Sequence, residues 1–393
     1  MHINNPKRII FLLSHPIQYF SPLFAEIAKQ PDFDLLVLYC SDENVKGHID
    51  KGFGVEVKWD LPLLEGYHSK FIGNNSLKPS IFNGFFGLIN FEIFKVLKKE
   101  KGSFLVIHGW AYATNFMAII AAKIFSVKLC LRAENPLNHE LLKSKQILFL
   151  RKIFFKFLYF PLFDYFFFIG TQNKKLYEYY GVKTEKLIFT PYAVDNDRFR
   201  KDYEKYKDRK AELRKELGLP INKKIILTSG KYICKKRPMD LLKAFHQLNN
   251  ENAALLFLGD GELRKEMQEY IKKNNLKDVY LTGFKNQSEV GKYFAVADIF
   301  VLASGAGETW GLVVNEAMNF NLPIICSDLV GCKDDLIIDN NNGFSFRVGD
   351  IKDLTIKFIM ILENYQKISS VKNSIKIVEK YSYNRIIENL KKL

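Results

Sequence analysis

The sequence predicts an α/β protein built from two doubly wound parallel sheets. Three observations carry that prediction. Short apolar runs of strand length recur without polar alternation, the mark of strands buried on both faces. Amphipathic helical patterns separate them. The whole alternation then restarts after a polar, highly charged stretch, Asn196–Leu217, which implies a second unit of the same kind. A length of 393 residues suits two domains of ordinary size.

The first run, Arg8–Leu13, follows a basic start. Its apolar part is too short for a signal-peptide core and no small-residue cleavage site follows, so it reads as a buried strand. Leu35–Tyr39, Phe104–His108, Lys128–Leu131 and Tyr165–Ile169 repeat the pattern, with a helical pattern over Tyr112–Phe125. In the second half, strands are predicted at Lys224–Ser229, Ala254–Gly259, Val279–Thr282, Ile299–Ala303 and Leu322–Ser327. Helices are predicted at Met239–Leu248, Leu263–Asn274 and Gly311–Asn319. The domains are expected at 1–195 and 196–380, with a final helical segment at 381–393. Ligands of such folds bind beyond the carboxyl ends of the strands. The loops after Leu13, His108, Ser229, Gly259, Thr282 and Ala303 are therefore where chemistry is expected.

Composition narrows the class. Apolar residues make up 48% and charged residues 26%, ordinary globular values that exclude a disordered chain. A net charge of +15 implies an acidic partner: nucleic acid, an anionic membrane or a phosphorylated substrate. The five cysteines show no metal or CxxC spacing, and read as free thiols in a reducing cytoplasm. No uncharged run of about 18 apolar residues occurs, so no transmembrane helix is expected.

The segment Ser304–Ala317, SGAGETWGLVVNEA, is the most informative. A Gly-rich loop leads from a buried strand into a helix starting near Trp310 or Gly311, with Thr309 as its expected cap. The helix start offers the N–H groups of Gly311, Leu312 and Val313 and the positive dipole end, an anion site. Gly311 is expected to let an anion approach the backbone. Glu308 and Glu316 flank this turn. Beside a bare phosphate they would repel it; they fit if they grip hydroxyls flanking a diphosphate. Taken alone, two solvated surface acids would read the same way.

The spacing Glu308-x7-Glu316, followed by Ala317-Met318 and Asn321-Leu322-Pro323-Ile324, resembles the signature of the retaining GT-B glycosyltransferases of family 4. Asn321 stands where that family has Gly. The resemblance implies a GT-B fold, two Rossmann-like domains facing across a cleft, with the acceptor on the first and the nucleotide sugar on the second. It implies that Glu308 touches the donor sugar, that Glu316 holds the ribose, and that amides around Thr309, Trp310, Gly311 and Leu312 hold the diphosphate. Ser229–Pro238, SGKYICKKRP, matches the family's basic loop. Gly230, Lys231 and Lys236 take its positions, with both lysines expected on the diphosphate. Arg237 replaces a Gly and competes with Lys236 for that role. Gly259-Asp260-Gly261 and Thr282-Gly283-Phe284 are strand-end loops of the same kind, and Phe284 is expected near the base.

The resemblance reaches the first half. His108 ends a strand where the family has a His close to the reacting sugar, so His108, Glu308 and Lys236 form the expected catalytic set. His15, Gln18, Tyr19 and Glu134 are expected on the acceptor side. Asp195-Asn-Asp197 spells a D-x-D metal motif, but lies outside both clusters. The family works without a bound metal, so no metal and no cofactor are expected, and the donor is a UDP- or GDP-sugar.

Lys143–Phe163 is aromatic, aliphatic and basic, with no acid. As one helix it would place Lys145, Lys152 and Lys156 on a narrow stripe. That fits a helix at an anionic membrane interface, or a buried helix with a charged edge. The expected reaction moves a sugar to a hydroxyl of a glycan or lipid-linked acceptor in surface polysaccharide synthesis, in the cytoplasm or on its membrane face. A phosphorylase or epimerase of the same fold is the enzyme alternative. A nucleic-acid binder would need aromatics on a basic face, and nucleic acid is not expected as a partner.

Overall fold

Parallel pairing organises both halves of the chain. The computed structural model describes residues 6–43, 45, 48–50, 55–57, 60–370 and 373–393. The first sheet contains β1 (Lys7–Leu13), β2 (Phe33–Tyr39), β3 (Ser69–Phe71), β4 (Phe104–His108), β5 (Lys128–Arg132), β6 (Tyr165–Phe168) and β7 (Leu187–Phe189). Its order is β3-β2-β1-β4-β5-β6-β7. The second contains β8 (Lys224–Ser229), β9 (Ala253–Leu258), β10 (Val279–Leu281), β11 (Ile299–Leu302), β12 (Ile324–Ser327) and β13 (Gly343–Phe346), ordered β10-β9-β8-β11-β12-β13. Two short strands, His48–Asp50 and Val55–Val57, belong to neither sheet.

The chain divides into two units. Met1–His48, Leu61–Pro191 and Tyr383–Leu393 make the first; Ile49–Asp60 and Tyr192–Ser382 make the second. Each has its own core. Ile10, Leu105 and Leu129 anchor one and Ile226, Leu255 and Val301 the other, all fully buried. Burying such a side chain contributes about 2 kcal/mol. These residues sit mid-strand in sheets covered on both faces, which is why the strands read as unbroken apolar runs.

Both sheets reverse their winding direction at one place, between β1 and β4 and between β8 and β11. Helices leaving those neighbouring strands go to opposite faces, so the carboxyl edge opens there into a crevice. The register pairs Leu227 of β8 with Phe300 of β11 and Leu12 of β1 with Ile107 of β4. The loops that leave these strands therefore start side by side.

The helices used below are α1 (Ser21–Ala28), α2 (Ala113–Ile124), α3 (Lys145–Ile153), α4 (Pro238–Leu248), α5 (Leu312–Asn319) and α6 (Tyr383–Leu390). Proline at the first position sets the start of α4. The last helix, α6, belongs to the first unit, where Asn389 donates to the Phe189 carbonyl of β7 at 2.8 Å.

Two expectations are corrected. Lys143–Phe163 is not one regular helix: α3 ends at Ile153, and Phe154–Tyr159 is a π-turn followed by a short 3-10 turn, Phe160–Leu162. The inserted residue turns Phe155 and Tyr159 into the core while α3 itself buries nothing. Thr309 does not cap α5. Gly311 holds that position at φ +94°, with no side-chain cap, because the turn needs a left-handed residue. Asp195 of the D-x-D sequence caps the helix Asn196–Tyr206, its carboxylate accepting the Arg198 N–H at 2.9 Å.

Candidate active site

At the switch point of the second sheet, the loop after β8 meets the loop after β11. Tyr232 fixes the first loop. Its ring is buried and its hydroxyl donates to the Phe257 carbonyl at 3.0 Å. Gly259 lets the neighbouring loop close on it. A Cβ there would lie 2.0 Å from the Gly230 carbonyl oxygen. From this base Cys234–Lys236 turns back, and the Lys236 chain passes over Gly230, where a Cβ would stand 3.5 Å from Cε.

Lys236 and Glu308, 72 residues apart in sequence, form an ion pair across the two loops. Their side chains keep only 20% and 12% of their surface exposed. Burial pushes the Glu308 carboxyl up, but the Lys236 ammonium, with Lys235 behind it, outweighs burial and holds it below the usual carboxylate range. Glu308 is thus a carboxylate at neutral pH, a hydrogen-bond acceptor at the switch point. Lys235, not singled out from the sequence, ties the loops a second time: its Nζ donates to the Gly307 carbonyl at 3.2 Å, and its own carbonyl accepts from Gly305 at 2.8 Å.

Arg237 stands in the left-handed conformation, φ +52°. Its guanidinium pairs with Asp240 in the first turn of α4 and lies against Gly349. Arg237 is thus engaged with Asp240, whereas Lys236 is engaged with Glu308. Lys231 is half-buried at the end of β8.

The start of α5 lies one turn beyond Glu308. Leu312 opens the helix, and the first N–H groups of a helix have no intrahelical acceptor. Together with the dipole they form an anion site. Gly311 serves the interior rather than a ligand: a Cβ would stand 2.8 Å from Leu302 and 2.9 Å from Val330. Trp310 is buried, its indole N–H donating to Asn315 at 2.9 Å and its ring 5.5 Å from Tyr381. Its side chain is committed to the interior, leaving only its backbone near the turn. Glu316, one turn into α5, is buried and is no solvated surface acid. Phe284 is half-buried on the loop after β10, beside Gly283, which bridges to Gly259.

In the first unit, His108 ends β4 directly beside Arg132 of β5. The ring of Phe20 meets His108 edge-on at 5.0 Å and carries the Arg132 guanidinium over its face at 5.3 Å. Burial pushes the imidazole well below its usual range, and the Arg132 charge adds to this. His108 is therefore neutral at pH 7. Its Nε2 is enclosed and has no hydrogen-bond partner among the described residues. Arg132 donates to the Thr190 carbonyl and hydroxyl at 2.9 Å and reaches Glu134 at 3.5 Å. His15, after β1, shares a hydrogen bond of 2.9 Å with Ser14 through Nδ1. Gln18 and Tyr19 are half-buried in the turn before α1. Phe20 gathers His108 and Arg132, and Arg132 in turn reaches Glu134.

Residues 209–380 match the family described as Glycosyl transferases group 1. The chain is 28% identical over 283 residues to a Campylobacter jejuni enzyme, GalNAc-alpha-(1->4)-GalNAc-alpha-(1->3)-diNAcBac-PP-undecaprenol alpha-1,4-N-acetyl-D-galactosaminyltransferase, covering 70% of each chain. It is 30% identical over 186 residues to the N-acetyl-alpha-D-glucosaminyl L-malate synthase of Bacillus anthracis, covering 47% of this chain and 46% of that enzyme, about half its length. Among solved structures, Anabaena HepE in complex with UDP and glucose superposes with a TM-score of 0.71 at 16% identity, covering 98% of both chains. That likeness shows the fold: two Rossmann-like parallel sheets of the GT-B kind.

Proposed function

We propose, from the premise that this chain is a glycosyltransferase carrying a group 1 domain over residues 209–380, that it transfers a sugar with retention from a nucleotide diphosphate sugar to a hydroxyl. The acceptor is a glycan or a lipid-linked saccharide of surface polysaccharide synthesis. The observation that carries this reading is the enclosed Lys236–Glu308 pair beside the open end of α5, at the switch point of the second sheet. A diphosphate needs cations and free N–H groups together; a sugar needs an acceptor carboxylate beside them. All three meet here.

In this reading the diphosphate of a UDP- or GDP-sugar lies on the N–H groups of Leu312 and Val313, with Lys231 and Lys236 as charge partners. Glu308 accepts a hydroxyl of the donor sugar, and the buried Glu316 accepts from the ribose. As the bond from C1 to the diphosphate oxygen breaks, negative charge grows on the leaving group, where Lys236 stabilises it more than in the ground state. The acceptor oxygen bonds to C1 on the same face. Its proton passes to the departing diphosphate oxygen. The role of His108 in the transfer rests on the family resemblance alone, because its Nε2 is enclosed within the first unit. The lysines and the helix end supply the charge a metal ion would, so added divalent ions are not required. Nucleotide-sugar chemistry and unpaired cysteines both suit the cytoplasm.

The Campylobacter jejuni relative, by its name, extends a saccharide on PP-undecaprenol, and we assign the same class of acceptor here. A thermal-shift panel of UDP, GDP, ADP and their sugars tests the donor: stabilisation by one uridine or guanosine series is expected. No response to any nucleotide diphosphate would remove the reading. Proton NMR of the product settles the anomeric outcome, and an inverted linkage would overturn retention.

A further inference from the structure

We propose that the face of the first unit formed by α3, the π-turn after it and the outer stripe of α2 docks on an anionic phospholipid membrane. This goes beyond the transfer reaction and stands without it. Phe149, Leu150, Phe157 and Leu158 are each more than 60% exposed. Single exposed apolar side chains are normal, but a contiguous set marks an interaction surface. α2 packs beside this segment through the core. The Phe116 ring lies 5.6 Å from Tyr159 of the π-turn, and Ile120 and Ile124 follow at four-residue spacing, both more than half exposed.

Charge decides the partner. The cations of this segment fall into two groups. Glu140, its side chain 1% exposed, takes Lys143 at 2.9 Å and pairs with Arg151, and Tyr180 donates to it at 2.6 Å. Lys143 and Arg151 are thereby tied inward and anchor α3 to the unit. Lys145, Lys152 and Lys156 are exposed and pair with no carboxylate among the described residues. Instead Lys152 and Lys156 lie over the rings of Tyr179 and Phe157 at 5.6 and 5.4 Å. From Leu141 to Phe163 the sequence has no acid. Apolar side chains flanked by lysines that keep their ammonium groups at the rim match an acyl boundary beneath a layer of phosphate headgroups. They do not match a partner that brings its own carboxylates and cations in pairs. Among the described residues no helix is long and apolar enough to cross a membrane, so the contact proposed is one of lying on the surface.

The test is flotation of the full chain with vesicles of equal parts phosphatidylcholine and phosphatidylglycerol, against phosphatidylcholine alone. Binding to the anionic vesicles that weakens with salt is expected. Each lysine near such a surface is worth a factor of about five, so the triple variant Lys145→Gln, Lys152→Gln, Lys156→Gln should bind about 10²-fold more weakly. Phe149→Ser with Phe157→Ser should lose a similar factor with an unchanged melting temperature, since both rings are exposed. The control Lys272→Gln, Lys273→Gln, Lys277→Gln removes the same charge from the second unit and should bind like wild type. Three results would overturn the proposal: no preference for anionic vesicles, an equal loss in the control, or vesicle binding that survives Phe149→Ser/Phe157→Ser while sedimentation shows a dimer lost in that variant.

Discussion

Replacing Lys236 by alanine tests whether the ion pair at the switch point holds the site together. In the native protein Glu308 is enclosed, with 12% of its side chain exposed. Removing its cation leaves a carboxylate in low dielectric. Breaking a buried pair costs about 3–5 kcal/mol. The lower end applies here, because Lys236 keeps 20% exposure and Lys235 still acts on Glu308. About 3 kcal/mol in a unit of this size lowers Tm by about 6–12 °C. Glu308→Gln should cost less, about 1 kcal/mol, since the freed ammonium swings to water. A double-mutant cycle should then return about 2 kcal/mol of coupling. The pH dependence follows from the lowered carboxyl. The pair's contribution is fully present above the unfolded glutamate value of about 4.3, and is lost as pH falls through the lower folded value. The gap between wild type and Lys236→Ala should thus be flat from pH 6 to 8 and shrink in acid. Urea unfolding at several pH values measures it, and single-turnover rates should fall about 10²–10³-fold. Coupling below about 0.5 kcal/mol, or an undiminished gap at low pH, would refute the reasoning.

Because burial and Arg132 lower the His108 imidazole, the unfolded chain takes up a proton first, and His108 costs stability as pH drops below about 6.5; His108→Gln should flatten the urea midpoint between pH 7 and 5. Gly311→Ala forces a left-handed alanine and a Cβ 2.8 Å from Leu302, which should cost about 2–3 kcal/mol, read as a lower Tm. Glu316→Ala should raise the KM for the donor more than it lowers kcat, because a ribose contact exists in ground and transition states alike; calorimetry with the nucleotide checks it, and unchanged affinity would unseat the ribose assignment.

Much of this was legible in the sequence where a strand crosses a full core. Ile225–Leu227 and Val301 are apolar because both faces are covered. The strands of the two large sheets that escaped detection, β3, β7 and β13, are three or four residues long. Two of them, β3 and β7, lie at the sheet edge with β13 at the other sheet's edge, and such short stretches carry no periodicity. Glu308 and Glu316 could be singled out because one turn and one helix fix their spacing. Their environments could not be read. Nothing local says that Glu308 meets Lys236 across 72 residues, or that Gly311 faces Leu302. The break after Ile153 escaped for another reason: a π-turn changes the helical phase by a single residue, too little to disturb an apolar pattern.

The return of α6 to the first unit has a consequence for how the protein is made. Residues 192–382, nearly all of the second unit, are inserted between β7 and α6. During synthesis the second unit emerges whole and can fold while the first still lacks its last helix. Until residues 383–393 leave the ribosome, the Phe189 carbonyl has no Asn389 to donate to it, and the outer edge of the seven-stranded sheet stays unsealed. The first unit is therefore completed only after residues 192–382 have been made.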